Sequence, residues 1–188
     1  MSIVLLGSTS GSITLQEPAI AGSTVLSLPA TSGTLITTAS SGQSIPKAAL
    51  PTGSVLQVVS VNNKVQTTTT GNSYIASTLA ASITPTSSTS KIFVIGHYYY
   101  RTSAVGVSVA TTIYRNSTDL TSGALGLSYN YASSTAVEMA SPFTILDSPA
   151  TTSSTTYTLY FKRSDAAGTA YIGNANIDSV ITLLEIAA

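Results

Sequence analysis

Apolar and polar residues alternate with a period of two along most of this chain, which is typical of β-strands that bury one face. Within residues 155–163 the two faces are distinct: Tyr157, Leu159 and Phe161 alternate with Thr158, Tyr160 and Lys162. In residues 105–115 the same pattern sets Val105, Val107, Val109 and Ile113 against Ser108, Thr112 and Tyr114. No stretch carries a convincing helical period, so the sequence predicts an all-β protein.

Clusters of Asn, Asp, Pro, Ser and Gly interrupt the alternating stretches and mark turns between strands. We predict strands, in chain order, at 54–61, 64–70, 74–83, 91–101, 105–115, 119–130, 136–146, 155–163, 169–173 and 178–187. Strands that recur roughly every 8–12 residues are typical of an antiparallel β-sandwich. The predicted fold is therefore a jelly-roll-like β-sandwich.

Two of the predicted strands are apolar on both faces. Residues 92–95 and 180–186 carry few polar side chains, whereas each sheet of a two-layer sandwich buries only its inner face. We expect another copy of the chain, placed around a symmetry axis, to cover the second face; the alternative cover is the N-terminal segment. The contacts expected between copies lie on the last strand, at Val180, Ile181, Leu183, Leu184 and Ile186.

Residues 1–53 differ from the rest of the chain. Short pieces at 13–16, 24–28 and 34–37, two of which alternate with a period of two, are separated by Gly and Pro. A Ser-rich, Pro-containing linker follows them. Strands this short cannot form a stable core alone. We therefore predict an N-terminal segment over 1–53, which depends on the head or on other copies, and a β-sandwich head over 54–188.

The amino-acid composition excludes several classes of function. Serine and threonine number 31 and 30 of the 188 residues, while the seven basic and seven acidic residues balance to zero net charge. This balance gives no electrostatic footprint for nucleic acid or for an anionic membrane. With no Cys and one His, disulfides, thiolate zinc sites and paired-histidine metal sites are excluded. We expect no cofactor and no bound metal.

The hydropathy profile bears on location. Mean hydropathy is +0.34, so the chain can bury a core and does not have the composition of a disordered protein. Its longest strictly apolar runs, such as residues 3–6, have four residues, against the roughly 20 of a membrane-spanning helix. The N-terminus also lacks the basic region of a signal peptide. We expect synthesis in a cytosol and no membrane insertion.

Candidate catalytic residues are few. Asp119, Asp147 and Asp165 fall in predicted turns, where Asp bonds its own backbone, although two carboxylates could still meet in the fold as a glycosidase pair. Glu185, on the apolar last strand, needs a partner such as Lys or Arg, or must lose its charge. No Gly-x-Ser-x-Gly motif accompanies His97. We expect this histidine to be a core or interface residue.

The ten tyrosines are the best indication of a binding surface. Tyrosine combines an apolar ring with a polar tip, which suits interfaces and the recognition of sugars or proteins. Tyr129 and Tyr131 flank Asn130, and these three residues are our candidates for surface recognition of a host glycan or protein. The alternative is that tyrosines fill a sheet face in a protein without Trp, whose absence also weakens a sugar-stacking platform.

Several short segments, taken in order, resemble fibre and appendage proteins of tailed bacteriophages, including head fibres, tail fibres and capsid-decoration proteins. The matching segments are GSTSGSITLQ at 7–16, AGSTVLSLPATSGTL at 21–35, GSVLQVV at 53–59, residues 83–92, residues 146–157 and ITLLEI at 181–186. The resemblance implies a homotrimeric, all-β virion protein with a jelly-roll-like C-terminal head. It implies no catalytic residue.

The sequence therefore predicts a non-enzymatic virion structural protein, assembled in the host cytoplasm. Residues 1–53 are expected to attach to other virion proteins of the capsid or the tail, and residues 54–188 to form the exposed head. The open alternatives are a capsid or a tail location. The rival function is a tailspike-like, polysaccharide-degrading enzyme or a carbohydrate-binding module, which would need two carboxylates in a groove.

Overall fold

The computed structural model describes residues 3–6, 9–10, 12–15 and 50–188, in a chain that divides into two compact units, Met1–Ser44 and Ile45–Ala188. In the first unit, β1 (Ile3–Leu6) pairs antiparallel with β2 (Ser12–Leu15). The predicted strands at 24–28 and 34–37 lie outside the described residues. This division falls before the predicted boundary after residue 53, and Gly53 N donates to Ala187 O at 2.8 Å within the second unit. The predicted N-terminal segment and head stay a prediction.

The second unit is built from eleven strands. They are β3 (Val55–Asn63), β4 (Thr67–Thr69), β5 (Ile75–Ile83), β6 (Lys91–Thr102), β7 (Val107–Arg115), β8 (Thr118–Asp119), β9 (Ser128–Tyr131), β10 (Glu138–Asp147), β11 (Thr155–Asp165), β12 (Ala170–Ile172) and β13 (Ser179–Ile186). Across the part of the chain that the structure describes there is no helix, which confirms the predicted all-β class.

One predicted strand, at 119–130, is wrong over most of its length. The chain is extended only at Thr118–Asp119 and Ser128–Tyr131. Between them Gly126 adopts a left-handed φ of 69° and donates its N–H to Gly123 O at 2.9 Å. Glycine has no Cβ to clash in this conformation, so Gly126 allows the chain to turn where the alternation pattern predicts a continuous strand.

The eight main strands form two antiparallel sheets. In the first sheet the order is β3–β13–β6–β10, and β12 and β4 extend it beside the second half of β6. In the second sheet the order is β5–β11–β7–β9, with β8 also beside β7. Among the eight main strands, consecutive strands lie in different sheets except β7 and β9, and the first and last strands, β3 and β13, are neighbours. This connectivity is that of a jelly roll.

The core lies between the inner faces of the two sheets. The first sheet contributes alternate residues of β6 and β13, including Val94, Tyr98, Ile181 and Leu183, all without solvent exposure. The second sheet contributes the alternate residues of β11 that the sequence predicts as its buried face, Tyr157, Leu159 and Phe161. Each side chain is buried because the period-two pattern matches the pleat of its strand.

Strand β7 departs from its predicted pattern. The sequence predicts that Ser108 and Thr112 face water, yet both are fully buried. Polar neighbours of the same chain cover this outer face. Thr112 Oγ1 donates to Asp119 of β8 at 2.5 Å and lies 2.8 Å from Thr121 Oγ1, and Ser108 Oγ donates to Asp165 of β11 at 2.7 Å. Neighbouring parts of the same chain therefore bury the outer face of β7, which the alternation alone predicts to be exposed to solvent.

Candidate functional site

The outer face of the first sheet carries a row of apolar side chains that crosses four strands. Strand pairing sets Val58, Leu184, Phe93 and Leu146 side by side on β3, β13, β6 and β10. Val58 and Leu146, at the two ends of the row, are 58% and 56% exposed. We call these four residues the apolar face. Singly exposed apolar residues are ordinary, but a contiguous row indicates an interaction surface.

The residues that flank the apolar face carry almost no charge. Val55 and Ile186 lie paired on one side of it, beside Lys91. On the other side is a row of Ser60, Thr182, Ile95 and Thr144, in which the Ser60 and Thr182 hydroxyls are 2.9 Å apart. The surface around the apolar face is therefore uncharged except for Lys91.

The structure separates the five candidate contact residues on β13 into two groups. Ile181 and Leu183 are fully buried in the core of their own chain, so their assignment to an interface between copies is wrong. Val180, Leu184 and Ile186 point to the outer side and are half-buried. The period-two alternation along β13 was enough to predict that these residues fall on two opposite faces. Sequence reasoning did not single out Val58 and Leu146, since only strand pairing places them beside Leu184.

A second exposed surface lies at β9 on the other sheet. Tyr129 and Tyr131 project to the same side, are 39% and 51% exposed, and have ring centroids 6.4 Å apart with planes 10° from parallel. Asn130 points the opposite way, as the strand period requires. Its side-chain amide donates to Tyr98 Oη at 3.3 Å. The structure thus brings together two of the three candidate recognition residues and turns the third inward.

The inward side of β9 forms part of a buried hydroxyl network. The Tyr98 hydroxyl lies 3.0 Å from Thr111 Oγ1 and 2.5 Å from Ser128 Oγ, and these two oxygens are 2.7 Å from each other. Buried polar groups need such partners, because an unpaired one has a high free-energy cost. The network joins β6 of the first sheet to β7 and β9 of the second, so it fixes the strand that presents the two exposed tyrosines.

Asp165 lies beside Tyr129 on the exposed side of this region, and no local sequence pattern indicates this proximity. Its Oδ2 accepts hydrogen bonds from the Tyr129 hydroxyl and, at 2.7 Å, from Ser108 Oγ. The Tyr129 hydrogen bond and then that of Ser108 hold the pKa of Asp165 below its usual range. The Asp165 hydrogen bond and burial raise the pKa of Tyr129. We call Tyr129, Tyr131 and Asp165 the tyrosine surface.

Glu185 is the one fully buried acid among the described residues. Its Oε1 accepts from Thr86 N at 2.6 Å and Thr86 Oγ1 at 2.7 Å, and its Oε2 accepts from Gln57 Nε2 at 2.7 Å. The predicted Lys or Arg partner is therefore wrong. Burial favours the neutral acid, but hydrogen bonds from neighbouring donors outweigh burial and lower the pKa of Glu185. The group keeps its charge through neutral donors alone.

Two of the remaining candidate acids have different roles. Asp119 accepts from Thr121 N at 2.9 Å, which confirms the predicted turn role. Asp147 does not act as a turn residue, because its carboxylate accepts from Arg115 Nη1 at 2.8 Å and from the Tyr157 hydroxyl at 2.7 Å.

The single histidine lies on the outer side of the first sheet. His97 is exposed, and its Nε2 is 3.2 Å from the backbone oxygen of Asp178. The prediction of a core position for His97 is therefore wrong, and an interface position stays a prediction.

Neither a metal centre nor a membrane-spanning helix is found in the described parts of the chain. Residues 3–6, 9–10, 12–15 and 50–188 contain no group of three or more His, Cys, Asp or Glu side chains arranged to hold a metal ion. The same residues form no helix long and apolar enough to cross a membrane.

Structural comparison finds likeness to particle proteins of infectious bursal disease virus. Its derived T=1 particles match at 18% identity over 70% of this chain and 36% of theirs, with a TM-score of 0.43. The Gt strain structure matches at 17% identity over 98% and 46%, with a TM-score of 0.43. The VP2 protein in derived T=1 particles matches at 16% identity over 94% and 42%, with a TM-score of 0.44.

The chain spans less than half the length of these solved structures. At this level of similarity the neighbours' roles do not transfer to this chain. No protein-family model matches the sequence, and no curated protein matches it.

Proposed function

We propose that this chain is a non-enzymatic structural protein of a tailed bacteriophage virion, working as a homotrimeric short fibre or capsid-attached appendage. The observation that carries the proposal is the apolar face, a row of side chains across the first sheet of the jelly roll whose end residues, Val58 and Leu146, are exposed. Removing these apolar side chains from water lowers the free energy, and burial of apolar surface is the main driving force of association.

The proposed occupant of the apolar face is another copy of the same chain. Symmetric assembly brings identical surfaces around one axis, which is unfavourable when a surface carries many like charges. Here the neighbouring rows carry hydroxyls, Val55 and Ile186, and Lys91 is the single charge beside them. Two identical uncharged surfaces do not repel each other when they meet. The resemblance to phage fibre proteins supports three copies.

The two parts of the chain have different proposed tasks. Residues 1–53 attach to capsid or tail proteins, and the head over 54–188 faces outward. The tyrosine surface lies on the second sheet, whereas the apolar face lies on the first. One sheet can therefore serve assembly while the other contacts a host surface.

Two measurements test the proposal. Light scattering at micromolar concentration should give three times the 19.1 kDa mass of one chain; a stable monomer contradicts the proposed assembly. Gold-labelled antibody imaged on intact virions should mark the capsid or the tail, and unlabelled virions contradict the virion role. Release of reducing sugars from host polysaccharide would contradict the non-enzymatic role.

A further inference from the structure

We propose that Tyr129, Tyr131 and Asp165 form a binding site for an arginine side chain of a partner protein. The three residues meet where β9, β7 and β11 lie side by side: Tyr131 pairs with Ser108, and Ser108 donates to the Asp165 carboxylate. All three side chains are exposed. The inference requires neither the proposed trimer nor a virion location.

The spacing of the two rings suits a planar group. Tyr114 and Tyr160, elsewhere on the same sheet, stack at a centroid separation of 3.9 Å, whereas Tyr129 and Tyr131 stand 6.4 Å apart and nearly parallel. The larger separation is close to twice the carbon contact distance of about 3.5 Å. Guanidinium is planar and stacks on aromatic faces, so it can lie against either ring or between them with small adjustments.

The carboxylate supplies the charge that selects a cation. Both hydrogen bonds to Asp165 from Tyr129 and Ser108 fall on Oδ2, which fixes the orientation of the group. Its lowered pKa keeps it ionised at neutral pH. Aromatic faces and an ionised carboxylate together attract a cation, and the planar donors of guanidinium match a carboxylate better than ammonium does.

The same chain already holds one guanidinium in this way. The Arg101 guanidinium carbon lies 4.0 Å from the centroid of the Tyr171 ring, and Arg101 Nε is 3.8 Å from a Glu138 carboxylate oxygen. A tyrosine face and a carboxylate thus bind arginine on the first sheet. The tyrosine surface presents the same two kinds of group, with a second ring, on the other sheet.

The arginine must come from a different protein. The chain has three arginines, and each is engaged within its own head. Arg101 lies on Tyr171, Arg115 pairs with Asp147 at 2.8 Å, and Arg163 donates to the carbonyl oxygens of Thr70 and Ala166 at 2.7 and 2.6 Å. Charge complementarity therefore favours a partner protein with an exposed arginine over a second copy of this chain.

The test uses a blocked pentapeptide with one central arginine as the probe and the full-length chain as the receptor. Titration followed by NMR of the tyrosine rings should shift Tyr129 and Tyr131 with a saturable dissociation constant, expected to be on the order of 1 mM for one side chain. A peptide with citrulline, the neutral analogue of arginine, should not reproduce the shifts. Equal binding of both peptides overturns the proposal.

Two variants locate the site. Asp165→Asn keeps the shape, and because Asn tolerates the left-handed φ of 62° at this position, the backbone is preserved. This variant and Tyr131→Ala should each weaken arginine-peptide binding by about two- to five-fold. Asp178→Asn, at an exposed acid just before β13 of the other sheet, is the matched control and should leave binding unchanged.

Two further measurements keep the result interpretable. Thermal unfolding should show that both variants are folded; if Tyr131→Ala is not, Tyr131→Leu replaces it, since leucine keeps bulk but has no π-face. Unchanged affinity in both folded variants overturns the proposal. The proposal is also overturned if a neutral oligosaccharide shifts the NMR signals of the Tyr129 and Tyr131 rings and the arginine peptide does not.

Discussion

The side-chain amide of Gln57 donates a 2.7 Å hydrogen bond to the carboxylate of Glu185, joining β3 to β13 across 128 residues of sequence. The other carboxylate oxygen accepts two hydrogen bonds from Thr86. Because Glu185 has no solvent exposure, its charge depends on these donors in place of water. The junction between the first and last strands of the head therefore contains a buried anion held by neutral groups.

We expect Glu185→Gln to lower the free energy of unfolding at pH 7 by about 1–3 kcal/mol. The new amide nitrogen would face either the Gln57 amide or the Thr86 donors, so a buried donor loses its acceptor. Urea denaturation followed by tyrosine fluorescence measures the change. Glu138→Gln is the control, because Glu138 is exposed and its ion pair with Arg101 contributes at most about 1 kcal/mol.

The cost of Glu185→Gln should depend on pH in one direction. The pKa of Glu185 is lower in the folded head than its usual value of 4.5. Its ionised form therefore stabilises the fold fully above pH 4.5, and this contribution is lost as the pH falls through the folded value. The difference between the native chain and the variant should be largest near pH 7 and narrow below pH 4.5. A difference that does not vary with pH contradicts this account.

Placing charge on the apolar face should disrupt assembly without unfolding the head. We expect Val58→Glu combined with Leu146→Glu to convert the proposed trimer to monomers, since each copy would bring two like charges to an apolar contact. Both side chains are more than half exposed, so the isolated head should remain folded. Light scattering measures the mass, and circular dichroism checks the β-structure.

Val105→Glu is the matched control for the charged face. Val105 is also apolar and 50% exposed, but it lies in the loop before β7. This variant should keep the native mass. If it dissociates the assembly as strongly as the pair on the apolar face does, the interface lies elsewhere.

A methyl group at Gly96 should destabilise the head. A Cβ at this position would collide with the backbone oxygen of Val180 on β13 and lie 2.8 Å from the Phe143 ring on β10. Gly96→Ala should therefore lower the free energy of unfolding by about 1–3 kcal/mol or more. In Gly71→Ala, the Cβ meets only Thr69 Oγ1 at 3.5 Å, an ordinary contact. Equal stability of the two variants in thermal melts would contradict the close approach of β6 and β13.

Loss of one hydroxyl from the buried network should have a moderate cost. Tyr98→Phe removes the group that lies 3.0 Å from Thr111 Oγ1 and 2.5 Å from Ser128 Oγ, but those two oxygens remain partners at 2.7 Å. We expect a loss of about 1 kcal/mol in the free energy of unfolding. Tyr100→Phe, on the same strand, is the control and should be nearly neutral, as Tyr100 Oη makes no hydrogen bond among the described residues. Chemical denaturation of both proteins gives the comparison.

Local patterns predict most of the head, because strands and turns depend on neighbouring residues. The alternation of Tyr157, Leu159 and Phe161 correctly predicts their burial. It also contains information that the sequence interpretation did not use: residues 129 and 131 share one face, so Asn130 must lie on the other. The predicted strand at 119–130 is wrong because the chain turns within it, with Gly126 in a left-handed conformation.

Contacts between distant strands could not be predicted in the same way. The hydrogen bond between Tyr129 and Asp165 depends on the pairing of β9 and β11 with β7, and the apolar face depends on the register of four strands. A shift of one residue would turn every side chain of a strand to the opposite face. Similarly, the neutral partners of Glu185 come from β3 and from the loop after β5, and no local pattern marks them.

The place of β13 between β3 and β6 has a consequence for synthesis of the protein in the cell. β13 leaves the ribosome after all the other strands of the first sheet, so β3 and β6 emerge without the neighbour that joins them. Pairing of segments so far apart in sequence slows folding. The growing chain must therefore keep two strand edges with unpaired backbone N–H and C=O groups from aggregating until residue 186 has emerged. The many Ser and Thr side chains help during this time, because their uncharged hydroxyl groups bind water on the unfinished sheet and form no ion pairs.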